Sequence, residues 1–182
     1  MNISKPKILL TGRPGVGKTT VVKKVIDGVR ERAGGFYTEE IRKKGKREGF
    51  LIRTTQGECA VLAHVNHRGP FRVGRYGVDV DLFEGIVTSS LQSALDRNEI
   101  VIMDEIGKME LFSKQFRQLV ERVFASDRTV LAVIHQGRDP FTQRIRQWPS
   151  AEEWTVTEKN RNTLPSLILE KLNPCGKTER PQ

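Results

Sequence analysis

Apolar positions fall into two alternating patterns along the chain. Short unbroken runs end at or just before a polar or glycine-rich stretch: Lys7-Ile8-Leu9-Leu10-Thr11, Ile100-Val101-Ile102-Met103 and Thr129-Val130-Leu131-Ala132-Val133-Ile134. With no polar face, such runs suit strands covered on both sides, as in a parallel sheet. Between them, apolar residues recur at three and four. Val21, Val22, Val25, Ile26 and Val29 predict a helix from Lys18 to about Arg32, stopped by Gly34-Gly35. Leu82, Phe83, Ile86, Val87, Leu91, Ala94 and Leu95 predict a second, capped by Asp81 and running to about Arg97. Phe116, Leu119, Val120, Val123 and Phe124 predict a third, capped by Ser113.

From Gly35 to about His64 the period changes to short β-type runs, Phe36-Tyr37-Thr38, Phe50-Leu51-Ile52 and Ala60-Val61-Leu62, so an antiparallel hairpin region is expected there. His67 to Gly77 has no clear period and is expected to be a loop. A short helix from Thr142 to Trp148, an edge strand at Trp154-Thr155-Val156 and a last helix from Leu164 to Leu172 complete the series. Strands alternating with helices imply right-handed crossovers: an α/β, three-layer fold with a mostly parallel central sheet plus the antiparallel hairpin region. Ligands of such sheets bind at the carboxyl ends of the strands, so the loops after Thr11, Met103 and Ile134 should share one functional rim.

The 182 residues make one domain, expected over 1–173, with 174–182 as a frayed tail. A hydrophobic share of 37% and a charged share of 29% describe a folded, soluble chain. No apolar run approaches the roughly 20 residues that cross a bilayer, and Met1 to Pro6 has no secretory pattern, so the cytoplasm is the expected compartment. Cys59 and Cys175 are far apart and outside any CxxC pair, so neither a disulfide framework nor a zinc site is indicated and both read as structural or incidental. The net charge of +9 serves phosphate ligands, nucleic acid or solubility equally and selects none.

The chemistry begins at Gly12-Arg13-Pro14-Gly15-Val16-Gly17-Lys18-Thr19, a Walker A sequence placed after a buried strand and at a helix start. Glycines let backbone N–H groups turn toward phosphate oxygens, the helix N-terminus adds its positive pole, Lys18 reaches the β and γ phosphates, and Thr19 offers a hydroxyl to Mg²⁺. The run Ile100 to Met103 then delivers Asp104-Glu105 to the same rim, in the Walker B form. Asp104 is the candidate metal ligand with Thr19, and Glu105 the candidate base for an attacking water. An acid beside the metal ligand suits hydrolysis better than transfer to a bound acceptor.

These residues resemble a known family, the small P-loop nucleoside-triphosphatases of thermophilic bacteria and archaea, related to the cancer-related nucleoside-triphosphatase of animals. Gly12 to Thr20, Gly35 to Arg42, Val73 to Val78, Asp104 to Phe112 and Asn160-Arg161 carry the resemblance. It implies a RecA-like core and Mg²⁺-dependent hydrolysis of ATP, GTP and other NTPs to NDP and phosphate. It also implies a nucleotide site lined by Gly12 to Thr20 and by Val101, Ile102, Met103, Asp104, Glu105, Ile106, Gly107 and Lys108. The loop His135-Gln136-Gly137-Arg138 departs from the family's usual arrangement, which leaves the role of His135 open between sensing the γ phosphate and a structural one.

Phosphoryl transfer gains from an arginine over the γ-phosphoryl oxygens; Arg42, Arg72 and Arg75 lie in the right kind of loop, and Arg75 or Arg42 is the candidate to close over the phosphates. Thr157 to Arg161 either borders the base or caps the last helix. Two other functions fit parts of the sequence: a small-molecule or nucleotide kinase, with Arg68 to Tyr76 as its lid, and a nucleic-acid-stimulated ATPase, suggested by Arg42-Lys43-Lys44-Gly45-Lys46-Arg47. Nucleoside triphosphates are the expected partners, a membrane is not, and a monomer is the expected state.

Overall fold

The computed structural model describes residues 5–172. In chain order its elements are β1 (Lys7–Thr11), α1 (Lys18–Val29), β2 (Ala33–Lys43), β3 (Lys46–Thr54), β4 (Cys59–His64), β5 (Arg72–Val73), β6 (Tyr76–Val78), α2 (Val80–Arg97), β7 (Ile100–Ile106), α3 (Lys114–Ala125), β8 (Thr129–Ile134), α4 (Pro140–Arg146), β9 (Ala151–Thr155) and α5 (Leu164–Leu172). The strands form one nine-stranded sheet in the order β5-β6-β4-β3-β2-β7-β8-β1-β9. Its pairings β2-β7, β7-β8, β8-β1 and β1-β9 are parallel.

Covering on both faces explains the unbroken apolar runs. Successive strand residues point to opposite sides, so Leu9, Val101, Met103, Val130, Ala132 and Ile134 enter the core shared with α2, α3 and α4. Ile8, Leu10, Ile100, Ile102, Leu131 and Val133 enter the core shared with α1 and α5. Each position is apolar because each is inside.

β2 is where the sheet changes character. Ala33 to Phe36 pair parallel with β7, and from Phe36 onward the strand pairs antiparallel with β3. Phe36 belongs to both ladders, and its fully buried ring meets Phe116 at 5.8 Å and Phe83 at 6.2 Å between centroids. Offset and edge-on rings at these distances add cohesion beyond the area they bury. The aromatic group pins the junction against α2 and α3.

Three expectations are corrected. The stretch 67–77 contains a hairpin, β5-β6, that turns at Gly74 with φ 57°; two- and three-residue strands are too short to show alternation in sequence. α2 starts at Val80 and its cap is Asp79, which accepts from the Leu82 N–H at 3.0 Å, so Asp81 lies inside the first turn. α4 starts two residues early because Asp139 accepts from Phe141 N and Thr142 N while Pro140 takes the first helical position. Ser113 caps α3 as expected, accepting from Phe116 N at 2.9 Å. The expected tail, 174–182, and Cys175 lie outside the described residues. Among the described residues no helix is long and apolar enough to cross a membrane.

The cap assignment has a direct test in urea unfolding. Asp79→Ala should lower stability by about 1 kcal/mol, whereas Asp81→Ala, which removes only a first-turn charge, should cost a few tenths; equal losses would refute the assignment.

Candidate active site

β1 runs into the glycine loop at Thr11, and the loop runs into α1 at Lys18. Gly12, Gly15 and Gly17 all have positive φ (148°, 77° and 106°). At Gly12 space also decides: a Cβ would lie 2.6 Å from the Val156 carbonyl oxygen, because the segment after β9 packs directly on the loop. No side chain caps α1, so its first N–H groups stay free to meet an anion. The Lys18 ammonium folds back over this turn, donating to the carbonyls of Gly12 (2.9 Å) and Arg13 (3.2 Å). A positive charge, a helix N-terminus and a glycine turn therefore share one concave surface.

The acidic side comes from the end of β7, separated from β1 by β8. Asp104 is 1% exposed. Its carboxyl faces the Thr19 hydroxyl and the Thr38 backbone N–H, both of which favour its charged form, while Oδ2 has no hydrogen-bond partner. Burial pushes this carboxyl up to about 7, against the opposing pull of Thr19 and Lys18. Burial also raises Glu105, opposed by the nearby charges of Lys18 and His135. Glu110, 3% exposed, is held well above the carboxylate range by burial and by the neighbouring Glu105 and Asp104. The Asp104-Glu105 peptide is cis. Gly107 separates two of these acids: a Cβ there would sit 2.5 Å from Glu105 Oε1 and 3.0 Å from Glu110 Oε2.

This donor set fits a small, hard divalent cation. Asp104 and Thr19 bring oxygens together, and the orphaned Oδ2 is a buried acceptor with nothing to accept from. Among the described residues no group of three or more His, Cys, Asp or Glu side chains could hold a metal by itself. An ion placed here would complete its shell with phosphate oxygens and water, which is how Mg²⁺ is ordinarily bound.

Lys18, Thr19, Asp104 and Glu105 are thus brought together. Arg13, Pro14, Gly15 and Thr20 lie exposed on the loop and the first turn, Val16 and Gly17 are half-buried, and Lys108 is exposed beyond β7. Val101, Ile102, Met103 and Ile106 are 0 or nearly 0% exposed and packed into the two cores, so they build the strand and offer a ligand no surface. Arg75 is not brought to the loop: it donates to the Arg47 carbonyl and lies over the Tyr76 ring at 5.2 Å, on the hairpin at the far edge of the sheet. Arg42 is occupied by Glu40 and the Gly45 carbonyl. Their sequence positions in a glycine-rich loop and a basic turn gave no measure of that distance. The arginine that reaches the loop is Arg161, whose Nη1 donates to the Val16 carbonyl at 3.3 Å.

Thr38 and Glu110 join the site without having been singled out. Both lie inside the runs that carry the family resemblance, which was the available signal. His135 was left open, and its ring lies near Glu105 while its backbone N–H donates to the Ile106 carbonyl at 3.1 Å.

The raised carboxyls set the pH dependence of the metal-free protein. Asp104 binds its proton up to about pH 7 when folded and only to about 3.8 when unfolded. The native state therefore holds more protons across that window, and stability falls as pH rises from about 4 to 7, by up to roughly 4 kcal/mol from this group. In EDTA without nucleotide, Asp104→Asn should flatten this fall and melt above the wild type at pH 8; an unchanged pH slope would contradict the assignment.

Comparison with known proteins agrees with this geometry. The NTPase_1 family model, described as NTPase, matches residues 7–169. The nucleoside-triphosphatase THEP1 of Thermotoga petrophila is 48% identical over 163 residues, covering 90% of each chain. That of Methanosarcina acetivorans is 45% identical over 168 residues, covering 89% of this chain and 94% of its own. The crystal structure of THEP1 from Aquifex aeolicus superposes with a TM-score of 0.86 at 39% identity, covering 91% of this chain and 98% of that one. The solution structure of a human cancer-related nucleoside triphosphatase superposes at 0.80 with 34% identity, covering 94% and 100%. A match that runs from the first strand of the sheet into its last helix, at this identity, makes the chain a member of the NTPase family.

Proposed function

We propose that the chain hydrolyses the β/γ phosphoanhydride bond of nucleoside triphosphates, releasing the diphosphate and phosphate. The observation that carries the reading is the unequal use of two adjacent carboxyls beside Lys18. Asp104 is fully buried and faces the Thr19 hydroxyl and the Thr38 N–H, whereas Glu105 is only half-buried and no side-chain hydrogen bond among the described residues occupies it. One acid is committed to holding, and the other is free to take a proton.

In this reading the loop amides from Gly12 to Thr19 and the Lys18 ammonium bind the β and γ phosphates, exchanging the loop carbonyls for phosphate oxygens. Thr19 and Asp104 would hold Mg²⁺, which would supply positive charge against the negative charge developing on the phosphate oxygens. Glu105 orients the attacking water and accepts its proton. Burial gives it a higher proton affinity than an exposed glutamate, opposed in part by Lys18 and His135. The relatives named as nucleoside-triphosphatases support the same activity. Substrates of this class also support a cytoplasmic setting.

The test is phosphate release from Mg-ATP with no acceptor present. Glu105→Gln should lower turnover by about 10² to 10⁴ and leave Mg-ATP affinity within a few-fold of wild type, whereas Lys18→Ala should weaken binding itself. Wild-type protein that binds Mg-ATP and releases no phosphate would overturn hydrolysis and favour the kinase reading.

A further inference from the structure

The charge of the chain is unevenly placed. Residues 33–78, which form β2 to β6, hold nine of the 31 Lys and Arg residues and four of the 22 Asp and Glu residues, so about a quarter of the chain carries five of its nine net positive charges. Strand directions gather this excess at one end of the sheet. β2 runs parallel to β7, so its last residues leave on the side where β7 delivers Asp104. From Phe36, level with Met103, seven further residues carry the strand roughly 20 Å on, to Lys43. β4 ends at His64, opposite Gly49 on one side and Gly77 on the other, which brings the turn between β5 and β6 to the same end. The turn between β3 and β4, with Glu58, lies at the opposite end.

The two basic turns are joined. Arg47 Nε donates to the Tyr76 hydroxyl at 3.1 Å, Arg75 donates to the Arg47 carbonyl, and Arg72 Nη2 donates to the Arg75 carbonyl at 3.0 Å. The acids nearby are engaged: Glu40 with Arg42 and Arg47, Glu39 with Lys23 and Arg53, while Glu48 faces His64. Lys43, Lys44 and Lys46 are exposed, and no ion pair or hydrogen bond among the described residues uses their ammonium groups. Arg68 and Arg72, also exposed, extend the charge to the edge of the sheet. Between them Phe71 is 38% exposed, its ring held against Phe112 at 5.1 Å between centroids.

We propose that the two joined hairpins form a docking surface for single-stranded nucleic acid, with Lys43, Lys44 and Lys46 on backbone phosphates and Phe71 against a base. Cations without protein partners attract a polyanion and release its condensed counterions, and an exposed ring beside them offers the stacking face that single strands use. From β2 to β5 there are four strand spacings, roughly 19 Å, room for several nucleotides. A lipid surface would need a band of apolar side chains to enter it. In residues 33–78 the exposed large apolar side chains are Val61 and Phe71, too few for such a band. β7 and β8 stand between this surface and the strand that carries the glycine loop, so a nucleic-acid strand and a nucleoside triphosphate have separate places.

Fluorescence anisotropy of labelled single-stranded RNA and DNA of about 12 nucleotides, titrated with the full chain at several salt concentrations, decides the matter independently of hydrolysis. Both strands should bind with a Kd on the order of 10 µM near physiological salt. The triple variant Lys43→Gln, Lys44→Gln, Lys46→Gln should weaken binding on the order of 100-fold and lower the slope of log K against log salt by about 2. Phe71→Leu, which keeps an apolar contact for Phe112 and loses the flat ring, should weaken binding roughly 5- to 100-fold at an unchanged salt slope. Both variants should keep the Mg-ATP affinity of wild type, and Lys18→Ala should bind the strands as wild type does. Absence of binding by wild type, or displacement of the strands by saturating Mg-ATP, would overturn the proposal. Binding to phosphatidylserine vesicles in place of the strands would overturn it in favour of a membrane. Equal affinity for inorganic polyphosphate, with Phe71→Leu unchanged, would overturn the stacking part.

Discussion

The approach of the Thr19 hydroxyl to the buried Asp104 carboxyl is the constraint on which the site depends. It joins the first turn of α1 to the end of β7 across the intervening β8, and so sets the distance between the glycine loop and the acids. A carboxyl at 1% exposure is costly to ionise, and its proton affinity rises accordingly. Thr38 completes the arrangement from β2. That N–H is in position because Phe36, two residues earlier, is locked into both the parallel and the antiparallel ladder and into the cluster with Phe83 and Phe116.

Burial of Asp104, Glu105 and Glu110 in one pocket is a poor arrangement for stability and a good one for function. Like charges in an apolar setting favour protonation, and a cation or a phosphate-bound metal relieves the same strain. Gly107 is the space that lets Glu105 and Glu110 approach each other, since any Cβ would displace one of them. The site is thus built to gain from ligand binding what it lacks alone.

The sheet divides the work. Its parallel half, from β2 to β9, carries the loop and the acids, and covering by α1 and α5 on one face and α2, α3 and α4 on the other makes it stiff. Its antiparallel half holds the basic hairpin turns, whose arginines are engaged locally: Arg47 with Glu40 and Tyr76, Arg42 with Glu40, Arg75 with the Arg47 carbonyl. These guanidinium groups hold the hairpins together, and the lysines Lys43, Lys44 and Lys46 are left exposed.

What the chain itself determined was the local chemistry and the layering. A Walker A sequence between an apolar run and a helical period requires a strand, a glycine turn and a helix N-terminus, because phosphate-facing amides need that backbone. Apolar runs without a polar face require a sheet covered twice. Adjacent carboxylates at a strand end required the rim. Tertiary structure alone decided which distant residues meet that rim. Strand order set Arg75 at the far edge and Arg161 against the loop, although neither spacing nor residue type separates the two arginines. Val101, Ile102 and Met103 adjoin Asp104 in sequence, and alternation across a doubly covered sheet turned them into cores. Thr38 and Glu110 became part of the site through pairing and burial across more than 60 residues of chain in the first case and a single tight turn in the second, contacts that depend on three-dimensional register and leave no periodic trace.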